Sequence, residues 1–121
     1  MGLDQYIKAR REPLPSPVTW PEEGPDGDTW LAQFRKHANL QGWMEALYRA
    51  KGGTEEFNCQ PVELTAKDLD DLERDVENLP HTTGFFFGQS QECDIAATRA
   101  AIAKARLALR DGWTVYYDSW W

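Results

Sequence analysis

The sequence predicts an α+β fold, one small single domain spanning 1–121 in which a mainly antiparallel sheet packs against three or four helices. Three observations carry this reading. Residues alternate between apolar and polar at both ends of the chain, a leucine stripe at helical spacing lies in the middle, and a long amphipathic segment rich in alanine immediately precedes the C-terminal alternation. At 121 residues, with 41% hydrophobic and 12% aromatic side chains, the chain suits one core that folds without disulfides or metals.

The elements follow in order. In GLDQYIKAR, Leu3, Gln5, Ile7 and Ala9 share one face and Asp4, Tyr6 and Lys8 the other, the pattern of a half-buried strand. Prolines at 13, 15, 17, 21 and 25 block helix and central strand, so residues from about 12 to 28 read as a loop that Val18 and Trp20 can pin to the body. Asp28 or Thr29 can cap a helix running to the Gly52–Gly53 pair, with Trp30 and Phe34 one turn apart and Leu40, Trp43, Met44, Leu47 and Tyr48 as its apolar stripe. The weak helix formers Asn39 and Gly42 allow a break between a first segment ending near His37 and a second starting near Leu40. CQPVELT is a short strand that Pro61 confines to an edge or a bulge. Thr65 caps a helix with Leu69, Leu72, Val76 and Leu79 on its inner face, and Pro80 stops it. GFFFG reads as a strand covered by helices, which would bury Phe85, Phe86 and Phe87 together; the alternative has Gly84 and Gly88 freeing the backbone for a ligand or partner, with Phe86 exposed as an anchor. Ser90 or Asp94 opens a long helix whose inner face carries Ile95, Thr98, Ile102, Ala105 and Leu109, with Gly112 beyond its end. WTVYYDSWW alternates as a closing strand and is expected to pair with the N-terminal one.

The charge of −7 removes the phosphate attraction on which direct nucleic-acid binding depends. Cys59 and Cys93 suit a reducing cytosol, and neither a signal-peptide run nor a membrane span is present, so the expected location is cytoplasmic. Neither His-x3-His nor Cys-x2-Cys occurs, so no metal is expected. His37, His81, Cys59, Cys93 and the Asp118–Ser119 pair stand in no recognisable nucleophile context, and no cofactor is implied. Arg35 and Lys36, followed by His37, form the strongest basic cluster, for which Asp118 is an internal counter-ion or a bound anion the alternative. Asp70, Asp71, Asp75 and Glu77 lie opposite the leucine stripe, where they serve as a solvated face or, together with Glu22, Glu23 and Asp26, imitate a phosphate backbone.

FRKHANLQGWM, PVELTAKDLDDL, LPHTTGFFFG and the ending YYDSWW resemble, in order and spacing, a family of short proteins encoded by phages and prophages. Apart from the proline-rich loop the resemblance spans the chain, and its most specific parts are the Phe element and the aromatic C-terminus. It implies phage origin. The label phosphoglycerate kinase sometimes given to such proteins implies a much larger two-domain enzyme, so that activity is not expected of this chain. The expected function is therefore non-catalytic: an accessory protein that binds and inhibits a host protein, one with a basic surface, in counter-defence such as anti-CRISPR action. Six tryptophans exceed what one small core requires, and Trp20, Trp30, Trp120 and Trp121 are the candidate anchors, with Asp70, Asp71 and Asp75 as acidic contacts. The alternative is a small-molecule or nucleotide-signal sponge that gathers Arg35, Lys36, Trp43, Phe86 and Asp118 around a pocket. An unrecognised enzyme ranks last. A homodimer closed by the aromatic strands is also open.

Overall fold

The alternating N-terminal segment forms strand β1 (Asp4–Arg10), with Gln5, Ile7 and Ala9 turned to the core and Asp4, Tyr6 and Lys8 to the other side. The computed structural model describes residues 2–22, 27–84 and 87–121. On one side of β1 lies β2 (Thr29–Arg35) and on the other β4 (Thr114–Trp120), which in turn pairs with the two-residue β3 (Val62–Glu63). All pairings are antiparallel and the order is β2-β1-β4-β3, so the C-terminal strand does return to the N-terminal one. Helices α1 (Ala38–Ala50), α2 (Ala66–Asp75) and α3 (Cys93–Arg110) complete the α+β fold. Their buried Leu40, Met44, Leu69, Leu72, Ile102 and Ala105 join Ile7, Ala9, Val115 and Tyr117 of the sheet in one hydrophobic cluster.

Residues 29–35 correct the sequence reading, because they form a strand where a first helical segment was expected. The spacing of Trp30 and Phe34 imitates one helical turn. In the sheet the two residues face opposite sides, because the register shifts between Ile7, opposite Ala32, and Lys8, opposite Trp30, leaving Leu31 as the extra residue of a bulge. That insertion hides the period of two. The GFFFG strand is the second correction: Gly84 and Gly88 lie outside strands and Phe87 in a turn, while Phe85 and Phe86 lie outside the described residues. Phe87 still meets the C-terminus, with its ring 5.2 Å from that of Trp121 and edge-on to it. The contact is between side chains rather than along a ladder.

Local chemistry explains the helix ends. Thr65 accepts from the Asp68 amide and Asp68 returns the bond to the Thr65 amide, a capping box that starts α2. That helix ends at Asp75, short of Pro80. Neither Ser90 nor Asp94 caps α3: its N-cap is Glu92, with no side-chain bond, while Asp94 accepts from the Gln91 amide and Ser90 accepts from the Asn39 amide in α1. Gly112 beyond α3 has φ +86°, where a side chain would be strained. Gly42 has another purpose: a Cβ there would stand 1.9 Å from Thr82 Oγ1, so the residue lets the chain after α2 close onto α1.

A polar chain runs through this core. Gln5 Nε2 donates to the His37 carbonyl and to the Tyr117 hydroxyl, both at 2.9 Å, and Gln5 Oε1 accepts from the His37 amide at 2.8 Å. Tyr117 donates to Gln41 Oε1 at 2.6 Å, and Gln41 donates to the Phe57 carbonyl. The ring of His37 extends the chain to α3 and the loop before it. Thr98 gives its proton to the Asp94 carbonyl at 2.7 Å, so its oxygen accepts from His37 Nε2–H at 3.0 Å. That leaves Nδ1 to accept from the Ser90 hydroxyl at 2.6 Å. Burial holds the His37 pKa below the usual histidine value, although Asp94 pulls the other way.

Two outcomes follow from this chain of bonds. Tyr117→Phe leaves the two buried glutamines short of a partner and is expected to cost about 1–3 kcal/mol, read as a lower denaturation midpoint at unchanged slope. For His37, whose folded pKa is depressed, the unfolded chain binds the extra proton first. Its stability contribution is complete above the usual value of 6.5 and is lost as pH falls below it. Denaturation curves recorded between about pH 7.5 and 5.5 should therefore fall more steeply for the wild type than for His37→Gln.

Candidate functional site

The helices cover one face of the sheet, and the other carries the candidate site. Register lays out this outer face in rows: Arg35, Asp4 and Trp120; then Gln33, Tyr6 and Asp118; then Trp30, Lys8, Tyr116 and Glu63. The proline-rich loop covers the last part of it. Trp20 packs edge-on against Tyr116 at 5.4 Å and donates its indole N–H to the Cys59 carbonyl at 2.7 Å. Asp28 accepts from the Tyr116 hydroxyl at 2.5 Å and lies 3.9 Å from Arg10. Burial, followed by the bond to Asp28, raises the Tyr116 pKa far above its ordinary value, so this phenol stays protonated.

The rows nearer β2 are open. Trp30 is 58% exposed and Trp120 is 66% exposed, the two largest exposed aromatic surfaces of the described residues. Between them the Tyr6 and Trp30 rings stand 4.9 Å apart, and Lys8 Nζ lies 4.9 Å from the Tyr6 centroid and 5.8 Å from that of Trp30. Beneath, Lys8 meets the carboxylate of Asp118 at 3.6 Å. Burial pushes the Asp118 pKa up and Lys8 draws it partly back. The result is a preset surface: a cation held by an acid and by two rings, one of them the projecting Trp30, with the second projecting indole, Trp120, two rows away.

The four tryptophans taken as anchors divide evenly. Trp30 and Trp120 project, whereas Trp20 pins the loop and Trp121 serves as a clasp, donating its indole N–H to the Phe57 carbonyl at 2.9 Å. Asn58 brackets the Trp121 backbone, accepting from its amide and donating to its carbonyl, each at 3.0 Å. The acids of α2 lie apart from this face and are already engaged. Asp70 meets Arg106 at 2.8 Å, Asp71 meets Lys67 and Arg74, and Asp75 accepts from both Arg74 and the Trp43 indole. The bonds from Arg74 and then Trp43 hold Asp75 below the usual carboxylate range. Of the acids expected to extend this patch, Glu23 and Asp26 lie outside the described residues.

Among the described residues envisaged around a small ligand, Asp118 and Trp43 have other polar partners. Asp118 pairs with Lys8 rather than with Arg35, Trp43 is bonded to Asp75, and Phe86 lies outside the described residues. Arg35 and Lys36 do share a hollow of about 500 Å³ with Gln89, Gln91, Cys93 and Asp94, where the Asp94 carboxylate opposes an anion. Lys36 holds a left-handed backbone, φ +60°, at the turn into α1, where its amide donates to the Leu3 carbonyl at 2.8 Å. Among the described residues no group of three or more His, Cys, Asp and Glu is placed to hold a metal ion, and no helix is long and apolar enough to cross a membrane. Tyr6 and Lys8 were not singled out from the sequence. The signal was present in the β1 alternation, which put both on the polar face.

Projecting and structural tryptophans should separate on mutation. Trp30→Ala and Trp120→Ala are each expected to change stability by less than about 1 kcal/mol, since both side chains are largely solvated. Trp121→Ala removes a bond to the Phe57 carbonyl and the Phe87 contact and is expected to cost about 1–3 kcal/mol, all read from urea midpoints. Comparison of the chain with family models, with curated proteins and with solved structures found no match.

Proposed function

We propose that this protein is a non-catalytic binder of another protein, with the open rows of the sheet as its contact surface. The observation that carries the reading is the pair of projecting indoles, Trp30 and Trp120, on either side of the fixed Tyr6–Lys8–Asp118 group. Aromatic side chains of this kind dominate protein interfaces, and a cation already ordered between rings loses little freedom on binding. The resemblance to phage and prophage proteins points to a host protein as the partner. Counter-defence, for example inhibition of a CRISPR effector, is the setting in which such a binder would act. The acidic charge of −7 favours a partner with a basic surface and raises its encounter rate at low salt.

The test is capture from host lysate with three baits: wild type, the Trp30→Ala/Trp120→Ala double variant, and Arg99→Ala on the helical side as control. Wild type and control should retain the same partner, and the double variant should lose about 30-fold or more in affinity for it, the loss of a hot spot. Equal retention by all three baits would remove the outer face from the reading. If wild type captures nothing while nucleotides raise its melting temperature, the small-molecule alternative replaces it.

A further inference from the structure

A second surface, which shares strand β2 with the outer face but is not needed for the reading above, lies along the margin of the sheet. The two margins differ. At β3 only Val62 and Glu63 are paired in the sheet, and the outward Glu63 amide is taken by the Pro17 carbonyl at 2.8 Å, so the loop seals that side. At β2 the margin is seven residues long, and among the described residues its backbone pairs only with β1. Positions 29–34, Thr-Trp-Leu-Ala-Gln-Phe, carry no charge and no proline; of the usual guards of an edge strand they keep the bulge at Leu31.

Beside this margin runs a groove of about 280 Å³ between the sheet and the second half of α3. Ala9, Leu31, Ala108 and Trp113 supply its apolar wall, and Leu107 at its rim is 56% exposed. Lys104 and Asp111 also line the groove, seven residues apart with Leu107 between them. Lys104 and Leu107 lie on α3 and Asp111 is its C-cap, so the three fall along one stripe with opposite charges at its two ends.

We infer that this margin binds a second copy of the same chain, with the two β2 edges side by side and each Leu107 in the groove of the other copy. The charge pattern selects that occupant. A two-fold axis near Leu107 reverses the direction of the partner's α3, so each Lys104 meets the second copy's Asp111 and no like charges face each other along the stripe. Each copy carries −7, so close approach requires a contact region free of unbalanced acids, which positions 29–34 provide. The bulge at Leu31 interrupts a continuous ladder between the two strands, so the groove and the charge pairs carry the contact.

Sedimentation velocity over a micromolar to near-millimolar series tests this on the full chain, with folding of each variant checked by melting. Wild type should move from monomer to dimer. Leu107→Lys, at an exposed position, should stay folded and monomeric. Lys104→Glu should weaken the dimer by about tenfold, and adding Asp111→Lys to it should restore the wild-type constant, because the reversed stripe is again self-complementary. A wild type that is monomeric throughout overturns the inference, as does a dimer indifferent to Leu107→Lys or a double reversal without rescue. Capture through Trp30 and Trp120 is read separately with the Leu107→Lys variant, so either proposal can fail alone.

Discussion

The buried run of hydrogen bonds from Phe57 through Gln41, Tyr117 and Gln5 to His37 is the constraint on which the rest of the fold depends. Gln5, Gln41 and Tyr117 are fully buried, so each amide and hydroxyl must find its partner inside the protein. β1, β4, α1, the turn before α1 and the Phe57 carbonyl together supply all of them. An apolar core of similar volume tolerates small slides of one element past another, whereas a fully satisfied polar chain does not. The His37 ring carries the same constraint outward to Ser90 and Thr98, which fixes α3 and the loop preceding it.

That fixed interior explains the division of labour between the faces of the sheet. Because the core face of β1 and β4 is committed to Gln5, Ile7, Tyr117 and their neighbours, the alternate residues Tyr6, Lys8, Asp118 and Trp120 necessarily project to the other side. The proline-rich loop then covers the half around Tyr116 and leaves the half around Tyr6 open. Lys8 is held there by Asp118 below and by two rings beside it, so its position in the open half is set by contacts within the protein.

Much of the fold was legible in the sequence where local and tertiary signals agree. Thr65 with its leucine stripe gave α2, and the alternations of residues 3–9 and 113–120 gave the two central strands. The reading failed at Thr29–Arg35, where one inserted residue, Leu31, cancels the parity on which strand recognition rests. Neither glutamine of the buried chain signals its role: parity places Gln5 on the apolar face with Leu3, Ile7 and Ala9, but nothing in the sequence names its partner, Tyr117, 112 residues away. The candidate site was half legible for a related reason. Composition flags six tryptophans, but whether an indole projects, as in Trp30, or closes a loop, as in Trp20, is decided by which carbonyl lies within reach of its N–H.

The bond from the Glu63 amide to the Pro17 carbonyl has a consequence for assembly. A sheet with two bare margins can add neighbours without limit, which is the geometry of fibrils. Here one margin is closed by the chain's own loop, so among the described residues only the bulged β2 margin is left from which growth along the ladder direction could start. The proline-rich segment thereby acts as a terminator, giving the molecule a built-in stop against open-ended stacking.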